Sequence, residues 1–354
     1  MKHGQRMFWT AALAAVTTVM AGCGSQAADD TTDNEAAAAG PKLAVVATTP
    51  EVADFVRNIG GTEVDVTQII KPNVDPHDYE PTPADLQAIS AAKIVVKSGV
   101  GLEEWLDRTI EAAGFKGTVV DSSKGVTLRE GGHHHGEGEE AHAEEEAHAE
   151  ESGEPHAGEE PHAEESGEAH AGGEEHDPHI WHDPRNAKIM VGNIEKGLAA
   201  AEPAKATAFA ANLSAYSAEL DKLDAENEAA WAKIPAADRK LVTNHDAFGY
   251  YIARYDLEFV GSVIPSMDTS AELSAKQLTD LVAKIKSTGT KAVFAESSLP
   301  PKTAEAIGQQ AGVTVVAGED ALFGDSLGEP GTPEGTYLGA ERHNTKTIVD
   351  ALAG

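Results

Sequence analysis

Between residues 131 and 177 the chain carries nine histidines and seventeen acids among Gly and Ala, without one Lys or Arg. So polar a stretch buries too little apolar surface to offset the entropy of ordering it, so the core has to be assembled from the chain on either side. The stretch is repetitive: 139–152, 153–166 and 167–180 are three units of 14 residues, with His142, His156 and His170 recurring at that period, as do His148, His162 and His176. Fourteen residues would suit two helical heptads, but Gly153, Gly158, Gly167, Pro155 and Pro161 oppose a stable helix. Together with His133, His134 and His135 these imidazoles are expected to form a secondary, low-affinity metal-collecting loop, disordered until metal binds. The plainer alternative is a solvated acidic spacer.

The N-terminus reads as an export signal over residues 1–22. Lys2 and Arg6 supply positive charge, 8–20 is an apolar run too short to span a bilayer, and Ala21-Gly22-Cys23 follows. Cys23 is the only cysteine, so no internal disulfide is possible, and its place after small residues makes it a candidate for diacylglycerol attachment; the alternative is ordinary secretion with a stray thiol. Residues 23–40 then form a flexible, lipid-anchored tether. The net charge of −32 disfavours nucleic acid as a partner, because such binding needs a basic face, and favours cations.

Apolar, β-branched runs recur at 43–47, 64–70, 94–96 and 118–120, separated by stretches of helical spacing such as 102–113. A second set follows at 241–243, 259–264, 292–295 and 313–316. That alternation predicts βα units on parallel sheets, once in each half. The halves echo in detail: Thr82-Pro83-Ala84-Asp85 and Ser274-Ala275-Lys276-Gln277 both open helices with N-cap signatures, the first with Pro at the first helical position, the second with a capping box. Between them, 203–232 carries Phe209, Leu213, Tyr216, Leu220 and Leu223 at alternating four and three spacing, which predicts one long helix of roughly 45 Å. The expected fold is therefore α/β: a lobe at 41–202, a linking helix at 203–232 and a lobe at 233–354. A ligand would sit in the cleft beyond the strands' carboxyl ends.

Four short motifs fall there, each read as a loop directly after a strand. They are Asp75-Pro76-His77-Asp78-Tyr79-Glu80-Pro81, Asp177-Pro178-His179-Ile180-Trp181, Asn244-His245-Asp246-Ala247-Phe248-Gly249-Tyr250 and Leu322-Phe323-Gly324-Asp325-Ser326-Leu327. Outside the signal and the collector only five histidines remain, and His77, His179 and His245 are three of them. With Asp325 they complete a tetrahedral donor set that suits Zn²⁺.

These four motifs, with Gly101-Leu102-Glu103-Glu104-Trp105-Leu106, resemble the solute-binding proteins of zinc- and manganese-type metal-uptake ABC transporters, over essentially residues 42–354. The resemblance implies two Rossmann-like lobes joined by one rigid helix, metal held in the cleft by His77, His179, His245 and Asp325, no enzymatic activity, and a monomer delivering its metal to membrane permease subunits. It also implies zinc as the cargo, since manganese-importing relatives tend to place Glu where His245 stands, with manganese as the alternative. His182 departs from the family pattern. It is either an extra surface donor passing metal inward or a helix-start residue beside Asp183 and Pro184; His343 is assigned no role.

Two rival classes remain open at this level. A secreted zinc metalloenzyme would need an open coordination position and a general base, for which Glu296 is the one candidate, although it is better read as a cap for the loop and helix around Ser297 and Pro300. A zinc buffer or adhesin without a transporter would fit the lipid anchor.

Overall fold

The computed structural model describes residues 41–131, 176–271 and 274–354. The signal, the tether with Cys23, and His133, His134, His135, His142, His148, His156, His162 and His170 of the collector lie outside the described residues. The first apolar runs form β1 (Leu43–Ala47), β2 (Val64–Gln68), β3 (Ile94–Lys97) and β4 (Thr118–Asp121), a parallel sheet of order β2-β1-β3-β4. Successive side chains leave opposite faces: Val45 and Val96 enter one core cluster, Val46 and Val95 another. Burial on both faces is why these strands read as near-continuous apolar runs rather than alternating ones.

The crossovers are α1 (Pro50–Gly60), α2 (Pro83–Ala91) and α3 (Leu106–Ala112). Thr49 caps α1 with Pro50 in its first turn, and Thr82 caps α2. Both α2 and the later α7 (Ala275–Thr288) begin with full capping boxes, Thr82 with Asp85 and Ser274 with Gln277; Asp at the third position serves as well as the Glu or Gln usually sought there. The expected helix at 102–113 begins only at Leu106. Glu103 turns inward instead, accepting the Thr48 hydroxyl at 2.6 Å and the Ser98 and Gly99 N–H groups at 2.6 and 3.0 Å, which holds the preceding segment in turns.

In the second half β5 (Lys240–Thr243) pairs with β6 (Glu258–Ser262), and β7 (Ala292–Phe294) with β8 (Thr314–Val316), all parallel. The remaining helices there are α6 (Gly249–Tyr255), α7 and α8 (Lys302–Ala311). Leu241 and Phe294 face one cluster while Val242 and Val293 face another, repeating the two-sided burial of the first sheet.

Two elements come between the halves: α4 (Pro184–Ala201), then α5 (Ala206–Trp231), entered through a 3-10 turn at Pro203–Lys205. α5 has 26 residues, about 39 Å at the usual rise. Phe209, Tyr216, Leu220 and Leu223 pack in the first-half core with Phe55, Met190 and Ile194, while Trp231 at its far end packs with Leu241 and Tyr251. The C-terminal helix α9 (Tyr337–Ala353) makes the same passage. Its first residue, Tyr337, lies 4.8 Å from Phe55 ring to ring, and Ile348 and Leu352 sit in the second-half core. Two helices thus tie the lobes, where the sequence pattern revealed one.

Candidate metal centre

His77, His179, His245 and Asp325, far apart in sequence, present one donor atom each within 4.8 Å of one another, three of the four residues being buried. His77 lies in the loop after β2. Asp75 Oδ1 accepts its backbone N–H at 2.9 Å, and Asp75 Oδ2 accepts the Thr269 hydroxyl at 2.6 Å. The Asn73 N–H donates to Ser326 Oγ at 2.6 Å, so the loop bearing the first imidazole is fastened beside the turn bearing the carboxylate.

His179 does not follow a strand. The chain arrives through an isolated bridge between Glu130 and His176, and His179 opens a 3-10 turn, Ile180–His182. Asp177 folds back on it, Oδ1 accepting the His179 N–H at 3.0 Å and meeting Nδ1 at 2.8 Å. Asp183 caps α4 with Pro184 in its first turn. His245 follows β5 and is braced by Glu296, whose Oε1 accepts the His245 N–H at 2.9 Å while Oε2 lies 2.8 Å from Nδ1. The second approach is an ion-pair contact without the direction of a hydrogen bond. Asp325 follows the bridge between Glu296 and Leu322.

With Nδ1 of His179 and His245 turned toward carboxylates, Nε2 of each ring faces inward. His179 Nε2 is 3.2 Å from His77 Nε2, 3.3 Å from His245 Nε2 and 3.2 Å from Asp325 Oδ1. Asp325 Oδ2 is 3.0 Å from His245 Nε2 and 3.5 Å from His77 Nε2. Burial disfavours charge on both rings, yet the carboxylates outweigh it: His179 is pushed up to about 9 by Asp325 and Asp177, and His245 well above its usual value by Glu296 and Asp325. Burial would raise Asp325 too, but the two facing imidazoles hold it well below the carboxylate range. Three ring nitrogens and a carboxylate thus converge as one nest of electron donors that could hold a metal ion.

His176 lies apart from the four, lining a cavity of ≈ 400 Å³ beside His77 with Leu102, Pro178 and Asp268. His182 is no surface donor. It is fully buried, stacked on Phe248 at 4.5 Å with Nδ1 2.8 Å from Glu341 Oε1. His343 meets the Ala321 carbonyl oxygen at 3.0 Å. Glu296 is neither a general base at an open position nor a helix cap: its oxygens address the backbone and Nδ1 of His245, and α8 has no side-chain cap. The sequence reading takes Glu296 only as a candidate base or cap and gives Asp177 no part in bracing His179; the structure sets each behind a ligand imidazole. The tripeptide Asp-Pro-His, which occurs at 75–77 and again at 177–179, was a usable signal for Asp177; nothing local marks Glu296.

A two-lobed α/β fold closed around three imidazoles and a carboxylate defines a metal-binding solute-binding protein. The chain belongs to the ZnuA family, "zinc-uptake complex component A, periplasmic", whose pattern matches residues 45–351. It is 32% identical over 351 residues to the manganese-binding lipoprotein MntA of Bacillus subtilis (strain 168), covering 97% of this chain and 98% of that protein. It is also 32% identical over 319 residues to the zinc-binding protein TroA of Treponema pallidum (strain Nichols), covering 90% and 91%. The structure of periplasmic TroA superposes with a TM-score of 0.71 at 29% identity, over 88% of this chain and 99% of that one. The protein is a substrate-binding receptor of a metal ABC transporter, not an enzyme, and its relatives divide between zinc and manganese. Among the described residues no helix is long and apolar enough to cross a membrane.

Proposed function

We propose that this protein captures Zn²⁺ outside the cytoplasm with His77, His179, His245 and Asp325 and delivers it, as a monomer anchored through lipidated Cys23, to the permease of an ABC importer. One observation carries the reading. Four donors about 2.0–2.1 Å from a zinc ion form a tetrahedron with edges of about 3.3–3.4 Å, and with Asp325 Oδ2 as the fourth donor, four of the six edges are 3.0–3.5 Å. Three neutral imidazoles and one carboxylate suit a borderline-soft ion and leave no position for a catalytic water. The lobe boundaries at 41–202 and 233–354, with the helix between, supply the cleft in which the ion is enclosed.

Manganese is the second reading, favoured by the name of the Bacillus relative. Harder oxygen ligands suit manganese better than an N₃O set, which ranks it below zinc. Metal content and competition titration of Zn²⁺ against Mn²⁺ test the choice, on mature protein with and without residues 133–176. One tight Zn²⁺ per chain in both forms, undisplaced by Mn²⁺, is the expected result; preference for Mn²⁺, or no tight site, overturns it. The collector's histidines are proposed to gather metal weakly, so the deletion should abolish only weak binding.

A further inference from the structure

Within the metal centre each of the two fully buried imidazoles, His179 and His245, is backed by a carboxylate, and each carboxylate occupies space that a glycine leaves open. A Cβ on Gly249 would stand 2.3 Å from Asp177 Oδ2, and one on Gly324 would stand 2.2 Å from Glu296 Oε2 and 3.1 Å from its Cδ. Neither glycine has the positive φ that would require glycine for backbone reasons. What each excludes is a side chain where the carboxylate must lie.

Gly324 is held from two directions. Its carbonyl oxygen accepts the Trp181 indole N–H at 3.2 Å, and Trp181 packs edge-on to His179 at 5.5 Å. The adjoining chain is tied to the Glu296 strand extension by Ser297 N–H to Leu322 O at 2.8 Å and Leu322 N–H to Ala295 O at 2.9 Å. Glu296, fully buried, is thereby clamped between His245 and the turn that carries Asp325.

We infer that Glu296, seated by Gly324, is a specificity-determining positioning residue that sets the donor strength of His245 and so biases the centre toward zinc over manganese. The inference deepens the proposed function and rests on its assignment of the four ligands. A carboxylate against the far nitrogen of a ligating imidazole fixes the ring and increases its basicity, and its removal typically lowers metal affinity about 10–100-fold. A more basic nitrogen donor favours zinc, which binds imidazole well, more than manganese, which favours oxygen. Glu296 is thus a selectivity lever acting through His245, without touching the ion.

The test compares Zn²⁺ and Mn²⁺ affinities, by chelator competition, for the full-length mature protein, Glu296→Gln, Gly324→Ala and Glu341→Gln. Glu296→Gln keeps the side chain's shape and an acceptor for the His245 N–H while removing the charge. Gly324→Ala keeps the charge and displaces it. Glu341→Gln makes the same chemical change in the buried His182 pair, which takes no part in the cluster. The expected result is a loss of zinc affinity of about 10–100-fold in the first two variants, a smaller loss for manganese, and an unchanged ratio in Glu341→Gln. The visible spectrum of the Co²⁺-loaded Glu296→Gln protein should shift as the His245 ligand field weakens. Equal losses for both metals, an unchanged zinc affinity, or the same change in Glu341→Gln would overturn the inference. A wild-type preference for manganese would instead overturn the zinc reading; even then, a fall in the zinc-to-manganese ratio in Glu296→Gln upholds the lever and an unchanged ratio removes it.

Discussion

Zinc binding should displace at least one proton near neutral pH, because the metal-free cluster holds His179 protonated. Burial pulls His179 down, but Asp325 and Asp177 outweigh it and raise the ring to about 9; His245 is raised well above 6.5 in the same way by Glu296 and Asp325. At pH 7 His179 is therefore an imidazolium facing the Asp325 carboxylate, and it must lose its proton before its nitrogen lone pair can reach a cation. Each displaced proton makes the affinity fall about tenfold, or ~1.4 kcal/mol, per unit of pH. The His179 proton alone gives about tenfold per unit between roughly pH 6.5 and 8, and any proton held by His245 steepens that slope. The same shift acts on the metal-free fold. A ring whose folded value lies above its unfolded 6.5 contributes stability that is fully present below pH 6.5 and lost as pH rises through about 9, for His179 on the order of 3 kcal/mol. Calorimetry in buffers of differing ionisation enthalpy counts the protons, chelator competition across pH 6–8 gives the slope, and thermal melts give the stability. Fewer than one proton released, with a flat affinity profile, would refute the reasoning.

Three further outcomes follow from single contacts. His245→Ala removes one donor of four and should weaken zinc binding by more than the roughly 100-fold upper figure for an outer partner, read by competition titration; an unchanged affinity would remove His245 from the centre. Trp231→Ala empties a buried site at the junction of α5 with the second core and breaks the Nε1–H donation to Tyr251 at 2.9 Å, so a urea melt should show a loss of about 3–5 kcal/mol. Gly289 ends α7 with φ 68°, and a Cβ added there would meet nothing within 4 Å, so Gly289→Ala should cost only the left-handed backbone penalty, about 1–2 kcal/mol. A larger loss on thermal or urea unfolding would point to a contact that the structure does not contain.

The strands, the caps and the ligand-bearing motifs were legible because their signals are local. Strand runs such as 94–96 are apolar on both faces, Thr82, Asp183 and Ser274 each cap within two or three residues, and Asp75 and Asp177 bend the chain around the histidine two residues on. The start of α3 was misread because Glu103 is recruited by Thr48, 55 residues earlier, a partner with no local mark. The buried pairing of His182 went unseen for the same reason, its partner Glu341 lying 159 residues away.

By itself, then, the sequence determined the α/β alternation, the long helix with its apolar stripe and the four residue types that meet at the centre, since each rests on periodicity or on spacing within one turn. Only the tertiary structure decided that α9 crosses both cores, that Glu296 stands behind His245 from 51 residues away, and that four donor atoms converge within 4.8 Å. Those outcomes depend on the direction in which side chains leave packed elements and on which elements pack together. Packing sums many weak contacts between distant segments, and no single stretch of the chain carries that sum.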